Sequence, residues 1–553
     1  MRGAKLFLEA AHRHGVTKAF GIIGGEAHAM RFDEVPGLDF YLTRHEFAAG
    51  IMADVCSRLD GKPYMCYSTF GPGVTNLATG VCSAALDRSP MLAVSAQVVR
   101  SERVFNQTHQ CIDNVAVIGP MCKYARELDS VEEIPEVVTS ALRAARAEVP
   151  GPAFISFPLD LMLAEIDDRQ ARKLLDNMGS TEPPPLPSPK KADLDWLVGE
   201  IQKAQRPIAL GGNILIREGA CPELLAFLER YQIPLITTLA SKGLIPEGHP
   251  LHIGTCNKYL DGILHYPVLD SVFKKCDLML LIGYDFGEDV KPSQWKRNDF
   301  IRSISIGPNK NPMGEVFRPE REIIGSLKEA LPILTEMAPQ GRSLSDLASI
   351  VSLKKRKAAA GEQPIQSYPT IPVPAIIRTV RNQLGPEGIL CSDIGLHKQY
   401  AGLFSATDHP NTFLCSNGAG TFGFGFPAAM GAKVVMPDRR VAVVCGDGGF
   451  HSTSQDLETA VRYNLPMVIV LLKDNSFGLI KYYQLTDKDN VYANSVDFGD
   501  VNFVKLARAN GWDAHFVTSR PMLEQRMTEA FARNRPTLLE LPIRYQYKFD
   551  APS

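Results

Sequence analysis

The chain of 553 residues carries 59 Lys and Arg against 61 Asp and Glu, a net charge of −2, and that balance marks no surface for nucleic acid. It is 45% hydrophobic, yet no apolar run approaches the ~18–20 residues of a membrane span, so neither nucleic acid nor membrane is expected as a partner. The 11 Cys are scattered without a C-x-x-C pair, which excludes a disulfide framework or zinc ribbon and suits reduced thiols in a cytoplasmic protein.

The opening MRGAKLFLEAAHRHG predicts an amphipathic helix that stops at Gly15, with no hydrophobic segment of a signal peptide. LTRHEFAAGIMADVCSRLDGKP (42–63) then places Glu46 at the start of a helix beside the apolar Ala48, Ala49, Ile51 and Met52. A first-turn acid is favoured by the helix dipole whatever its role. Set among apolar neighbours, it is also expected to have a raised pKa and to exchange a proton near neutrality. YMCYST (64–69), a GPG turn, a helical VTNLATGVCSAAL (74–86) and MLAVSAQ (91–97) follow as strand, helix and strand.

The proline-rich TEPPPLPSPKK (181–191) predicts a semi-rigid linker. Beyond it PIALGG (207–212), PLITT (234–238) and LMLLIG (278–283) predict strands, and the charged KKRKAAAGEQP (354–364) predicts a second linker. In the last block VAVVC (441–445) and MVIVLL (467–472) flank a helical QDLETAVRYN. The linkers bound domains over 1–180, 190–345 and 365–553, each of ordinary size. Continuous apolar strands alternating with helices belong to parallel sheets covered on both faces. The expected fold class is therefore α/β, with three doubly wound parallel-sheet domains.

Asp447 directly follows the run 441–445 and so falls at the carboxyl end of a strand, where such sheets bind ligands. Gly446, Gly448 and Gly449 leave room for close backbone approach to a phosphate. The loop KDNSFG, after 467–472, ends on the same edge. A hard cation such as Mg2+ takes one or two side-chain oxygens together with phosphate and water. A bare Gly-Asp-Gly is common in tight turns; the pairing of two loops at this spacing is what points to a metal and diphosphate site.

These segments resemble the thiamine-diphosphate enzymes of the acetolactate synthase and pyruvate decarboxylase superfamily. TFGPGVTNLATG (69–80), SNGAGTFGFGFPAAMGA (416–432) and GDGGFHSTSQDLETA (446–460) are similar to its blocks and stand in its order. The family motif ends in Asn-Asn with a Gly four residues beyond the ligand. Counting back from Gly478 gives Asp474, 27 positions after Asp447, as the second metal ligand, with the Ser476 carbonyl as third and Asn475 as the alternative. The resemblance implies that Glu46 protonates N1′ of the cofactor's aminopyrimidine, from one subunit, while another subunit holds the diphosphate. It implies a dimer or tetramer with shared active sites, thiamine diphosphate and Mg2+ as cofactors, and small-molecule substrates. It also implies that the Gly420 carbonyl receives the 4′-amino group, that Phe422 props the bent cofactor, and that Gly395, Leu396 and His397 approach the diphosphate.

Within the superfamily the chain is most similar to the N2-(2-carboxyethyl)arginine synthases, through FDEVPGLDFYLTRHEF (32–47), LDRSP (86–90), THQCIDNVA (108–116), YLDGILHYPVL (259–269) and GYDFGEDVKPSQW (283–295). That likeness implies that His109 moves protons and Gln110 donates to an oxyanion, with Tyr259 and Asp289 contacting substrate. Two departures bear on the donor. Gly25 stands where those synthases have Arg, and Leu396-His397-Lys398-Gln399 stands for Phe-Phe-Arg-His. Both remove guanidinium forks for phosphate or carboxylate. Gly25, Lys398 and Gln399 therefore join the candidate substrate residues, and a 2-oxo acid stands beside a sugar phosphate as donor. The expected function is a synthase that forms a covalent adduct at C2 of the cofactor and transfers it to an acceptor carbonyl or amine, with a 2-oxo acid decarboxylase or acetolactate-forming enzyme as the alternative. The central block lacks the flavin-contacting stretches of acetolactate synthases, so FAD is not expected.

Overall fold

The computed structural model describes residues 1–25, 28–105, 109–256, 272–285, 301–310, 318–339, 371–486 and 494–545. Tyr259, Asp289 and the linker 354–364 lie outside the described residues. The chain folds around three six-stranded sheets in which every pairing is parallel.

The first sheet holds β1 (Lys18–Gly21), β2 (Asp39–Leu42), β3 (Tyr64–Ser68), β4 (Met91–Gln97), β5 (Tyr124–Glu127) and β6 (Ala153–Pro158), in the order β2-β1-β3-β4-β6-β5. The second holds β7 (Pro207–Gly211), β8 (Leu235–Thr237), β9 (His252–Thr255), β10 (Leu278–Ile282), β11 (Arg302–Gly307) and β12 (Arg321–Ile324), in the order β12-β11-β10-β7-β8-β9. The third holds β13 (Ile389–Ser392), β14 (Phe413–Leu414), β15 (Val441–Gly446), β16 (Val468–Lys473), β17 (Asp513–Phe516) and β18 (Thr537–Pro542), in the order β14-β13-β15-β16-β18-β17. The central strands β3, β4 and β7 are buried along their whole length. That is why the sequence shows them as unbroken apolar runs rather than alternating ones. The opening helix spans Gly3–Arg13, and Gly15 follows it at φ +90°.

Compactness does not follow the chain's three blocks. One unit comprises Met1–Pro184 with Gly418–Asp438 and Ser452–Pro466; the other comprises Pro185–Asn417, Arg439–His451 and Met467–Ser553. The cause is visible in the first unit. Helix Gly425–Val435 has ten of its residues buried, and one side of it meets helix Glu46–Asp60. A Cβ on Gly431 would lie 2.8 Å from the Met52 carbonyl oxygen, and the Cys56 thiol donates to the Gly431 carbonyl at 3.3 Å. Only a small-residue surface admits this approach. No helix among the described residues is long and apolar enough to cross a membrane.

Candidate active site

In the first sheet the strand order reverses between β1 and β3, the position beyond whose carboxyl ends such sheets bind ligands. A Cβ on Gly24, in the loop after β1, would lie 2.6 Å from Thr69 Oγ1, in the loop after β3. Beside β1, β2 leads into helix Glu46–Asp60. Thr43 N–H donates to the Gly21 carbonyl at 3.0 Å, and His45 caps the helix by accepting the Phe47 N–H at Nδ1, 3.1 Å. The Glu46 carboxylate is buried and accepts a bond from Asn76 Nδ2 at 3.1 Å. Asn76 is carried by helix Pro72–Leu86, which β3 reaches through Gly71 at φ +63°.

Around Glu46 the surface is polar but incomplete. The hydroxyls of Ser68 and Thr69 are buried without a hydrogen-bond partner. Gly73 stands where a Cβ would come within 3.4 Å of Glu46 Oε1. Buried hydroxyls left unpaired are costly and mark a place prepared for another polar group. Gln110 is held at φ +60°, and a Cβ on Gly71 would meet its carbonyl oxygen at 2.7 Å. Gln110 is thus laid against the turn that starts the Asn76 helix, and it and His109 are exposed. Gly25 is exposed, and a side chain there would meet nothing.

A buried ionic network ties the Glu46 helix to the segment Gly418–Phe422. Arg58 forks onto Asp54, Nε to Oδ1 at 2.8 Å and Nη2 to Oδ2 at 2.7 Å, and reaches Asp87 Oδ2 at 2.6 Å. Ser83 and Ser89 hydroxyls also donate to Asp54. Asp87 Oδ1 accepts the Gly418 N–H at 3.1 Å, and Gly418 has no room for a Cβ, which would strike Leu86 at 2.7 Å. From this anchor the chain runs to Gly420, left-handed at φ +60° with open space beside it, and to Phe422, whose ring is 42% exposed. An exposed ring beyond a fixed glycine turn stands where a ligand can pack against it.

The third sheet reverses between β13 and β15, and there the glycines are crowded. A Cβ on Gly449 would lie 2.2 Å from Asp393 Oδ2, one on Gly448 2.7 Å from the Phe477 ring, and ones on Gly395 and Gly446 2.6 and 3.3 Å from His397 Cε1. Bare backbone is therefore the only chain that fits along this edge. His397 and Leu396 open the helix Leu396–Phe404 and are buried. Burial pushes the His397 imidazole down to about 3, so it is neutral, and its Nε2 has no partner.

Asp447 is buried; its Oδ1 accepts the Gly448 N–H at 3.0 Å and its Oδ2 the Asn475 N–H at 2.7 Å. Burial raises its carboxyl, and burial together with the Asp447 charge pushes Asp474 up to about 7. Asn475 is left-handed at φ +54°, and the side-chain oxygens of Asn475 and Ser476 are buried without partners. A Cβ on Gly478 would lie 3.1 Å from Asp474 Oδ2. Among the described residues no three His, Cys, Asp or Glu form a metal cluster. The two converging carboxylates fit a hard cation whose shell is finished by main-chain and ligand oxygens.

Lys398 and Gln399 are buried in helix Leu396–Phe404, and the Lys398 ammonium donates to the Ser416 carbonyl at 2.9 Å. A cavity of about 540 Å3 lies beyond β16, β18 and β17, lined by Lys473, Asn475, Asp500, Lys505, Phe516 and Glu540 among others. It meets the metal loop through Lys473 and Asn475. Asn76, Asp54, Arg58 and Asp87 escaped the sequence reading. VTN and LDRSP were visible there only as segments, with no sign that their polar side chains turn inward.

Three family models match in order. The thiamine pyrophosphate enzyme N-terminal binding domain covers residues 1–117, the central domain 194–334 and the C-terminal binding domain 393–541. The chain is 32% identical to a probable acetolactate synthase large subunit of Methanocaldococcus jannaschii, over 98% of this chain and 92% of that one. It belongs to the thiamine-diphosphate enzyme family. It is also 30% identical to the acetolactate synthase of Bacillus subtilis, over 98% of this chain and 93% of that one. A thiamine diphosphate-dependent 4-hydroxybenzoylformate decarboxylase of Rhodococcus jostii shares the fold, with a TM-score of 0.85, 20% identity and coverage of 99% and 100%. As a thiamine-diphosphate enzyme the chain has residues that fit both ends of its cofactor. The carboxyl–amide pair of Glu46 and Asn76 with two unpaired hydroxyls suits the polar aminopyrimidine. The glycine edge, the unpaired His397 nitrogen and the paired carboxylates suit a metal-bound diphosphate.

Proposed function

We propose that this thiamine-diphosphate enzyme is a Mg2+-dependent synthase that joins a fragment of a 2-oxo acid or sugar-phosphate donor to an acceptor carbonyl or amine. The observation that carries the reading is the buried Glu46 carboxylate held by Asn76 beside the unpaired hydroxyls of Ser68 and Thr69. When bound, thiamine diphosphate supplies a nucleophilic carbon that adds to a carbonyl and accepts the electrons released. Glu46 holds and returns the proton at N1′ of the aminopyrimidine. The Gly420 carbonyl would receive the 4′-amino group, and Phe422 would pack against the cofactor. His109 exchanges protons with the reacting substrate, and Gln110 donates to the developing oxyanion. Asp447, Asp474 and the Ser476 carbonyl hold Mg2+ on the diphosphate, which Gly395, Leu396 and His397 approach. Gly25, Lys398 and Gln399 remain candidates for the substrate end, as do Tyr259 and Asp289. The family likeness extends the reading to a dimer or tetramer in which Glu46 of one subunit serves the diphosphate site of another. The 11 cysteines, none of them in a disulfide, suit a cytoplasmic setting.

A second reading is an acetolactate-forming enzyme or 2-oxo acid decarboxylase. The acetolactate synthases among its relatives and the small Gly25 favour it. Incubation with thiamine diphosphate, Mg2+ and pyruvate, followed by mass spectrometry, separates the two. The synthase reading expects product only when an amine or aldehyde acceptor is added. Acetolactate or free acetaldehyde from pyruvate alone establishes the second reading instead.

The metal assignment has its own test. A carboxyl raised in the folded state binds its proton more tightly there, so its contribution to stability is lost as pH rises from the ordinary carboxylate range, ~4, toward about 7. Without metal, Asp474→Asn therefore melts at a higher temperature than wild type at pH 8 and shows a flatter profile over that window. Mg2+ with thiamine diphosphate raises the wild-type melting temperature and raises that of the variant far less. Equal stabilisation of both proteins would remove Asp474 from the ligand set in favour of Asn475.

A further inference from the structure

The segment that delivers Glu46 to its place is gripped by a distant helix. Residues 454–456 form a single 3-10 turn that runs into helix Leu457–Arg462, with Tyr463 at its end. This stretch belongs to the same compact unit as Glu46 although it lies some four hundred positions away. Its side chains hold residues 42–44 at four points. Tyr463 Oη accepts the Leu42 N–H at 2.7 Å, and Arg462 Nη1 donates to the Leu42 carbonyl at 3.0 Å. Asp456 Oδ1 accepts the Arg44 N–H at 2.8 Å, and the Arg44 guanidinium donates to Glu458 at 2.9 Å. The Tyr463 ring also packs on Tyr41, with centroids 4.8 Å apart.

These contacts engage main chain rather than only surface side chains. Asp456 is fully buried, and its Oδ1 also accepts the Thr459 hydroxyl at 2.9 Å, so the acceptor is fixed before Arg44 arrives. Leu42 closes β2, and Glu46 opens the helix four residues later. A shift of the segment 42–44 therefore moves the Glu46 carboxylate away from Asn76 without unfolding anything. Surface ion pairs such as Arg44–Glu458 contribute little; the bonds to the two main-chain N–H groups are the specific part.

We propose that Asp456 and Tyr463 are positioning residues for Glu46, setting its carboxylate for proton exchange with the cofactor. The inference rests on the reading of Glu46 given above. Misplacement of a reacting group by about 1 Å costs up to ~10²-fold in rate.

The test compares Tyr463→Phe, Asp456→Ala, Asp456→Asn and Glu46→Gln in the full-length protein. Tyr463→Phe and Asp456→Ala are expected to lower kcat by ~10-fold or more. KM for substrate and the dissociation constant for thiamine diphosphate, read by fluorescence quenching, stay within about threefold. Asp456→Asn keeps an acceptor oxygen for Arg44 and recovers most of kcat. Hydrogen exchange, read without cofactor, shows loss of protection at Arg44 in Asp456→Ala and at Leu42 in Tyr463→Phe. Wild-type kcat in both variants despite that loss overturns the proposal. So does a parallel fall in kcat, cofactor affinity and melting temperature, since that is general destabilisation. Full activity in Glu46→Gln instead overturns the reading of Glu46 itself, whatever the clamp does.

Discussion

Glu46→Gln lowers turnover by ~10²–10⁴-fold, the range over which a positioned acid–base group acts, while thiamine diphosphate still binds. The substitution keeps the shape of a buried side chain that accepts the Asn76 amide at 3.1 Å, so the fold has no reason to fail. It removes only the proton held at N1′. The pair of measurements that decides is kcat with saturating cofactor and the cofactor dissociation constant. An unchanged kcat would mean that another group moves that proton. Asn76→Ala is a milder companion: the carboxylate remains but loses the amide that donates to it, so activity falls less than in Glu46→Gln.

Arg58→Met is expected to be the most destabilising single change, by about 3–5 kcal/mol, because it strands buried charge. Asp54 is wholly buried and Asp87 nearly so, and Arg58 bonds both. The loss appears as a lower urea midpoint. Arg58→Lys does not restore it, since an ammonium cannot fork onto Asp54 and reach Asp87 together. The effect reaches the site as well: Asp87 accepts the Gly418 N–H, and Gly418 begins the turn that leads to Gly420 and Phe422. A variant with wild-type stability would show that water or rearranged serines neutralise the two carboxylates.

The fold was legible because its central strands are buried on both faces. Runs such as VAVVC and MVIVLL admit no other place than the middle of a parallel sheet, and β15 and β16 lie within a residue of them. Asp447 and its glycines were legible for a related reason. An acid directly after such a strand must fall at the carboxyl edge, and the crowding against Asp393, Phe477 and His397 explains why glycine is required there. What the sequence concealed are the partners. Nothing in QDLETAVRYN distinguishes Asp456, buried against Arg44, from Glu458, half-exposed beside it. Lys398 shows the same blindness: a lysine in a helix reads as exposed, yet it is buried and its ammonium donates to the Ser416 carbonyl. Burial of a polar group depends on which distant segment covers it, and local pattern does not carry that information. The division into compact units was hidden likewise, since helix Gly425–Val435 looks like any apolar helix of its own block.

That division bears on how the polypeptide is made. The unit containing Glu46 is not finished when residue 184 leaves the ribosome; it waits for Pro466. At ~5–20 residues per second the wait is roughly a quarter of a minute to a minute. Throughout it, the side of helix Glu46–Asp60 around Met52 and Cys56 lacks the helix that covers it. Nascent chains therefore carry an uncovered apolar strip for most of translation, during which a chaperone, or another nascent chain of the same kind on a neighbouring ribosome, has first access to it.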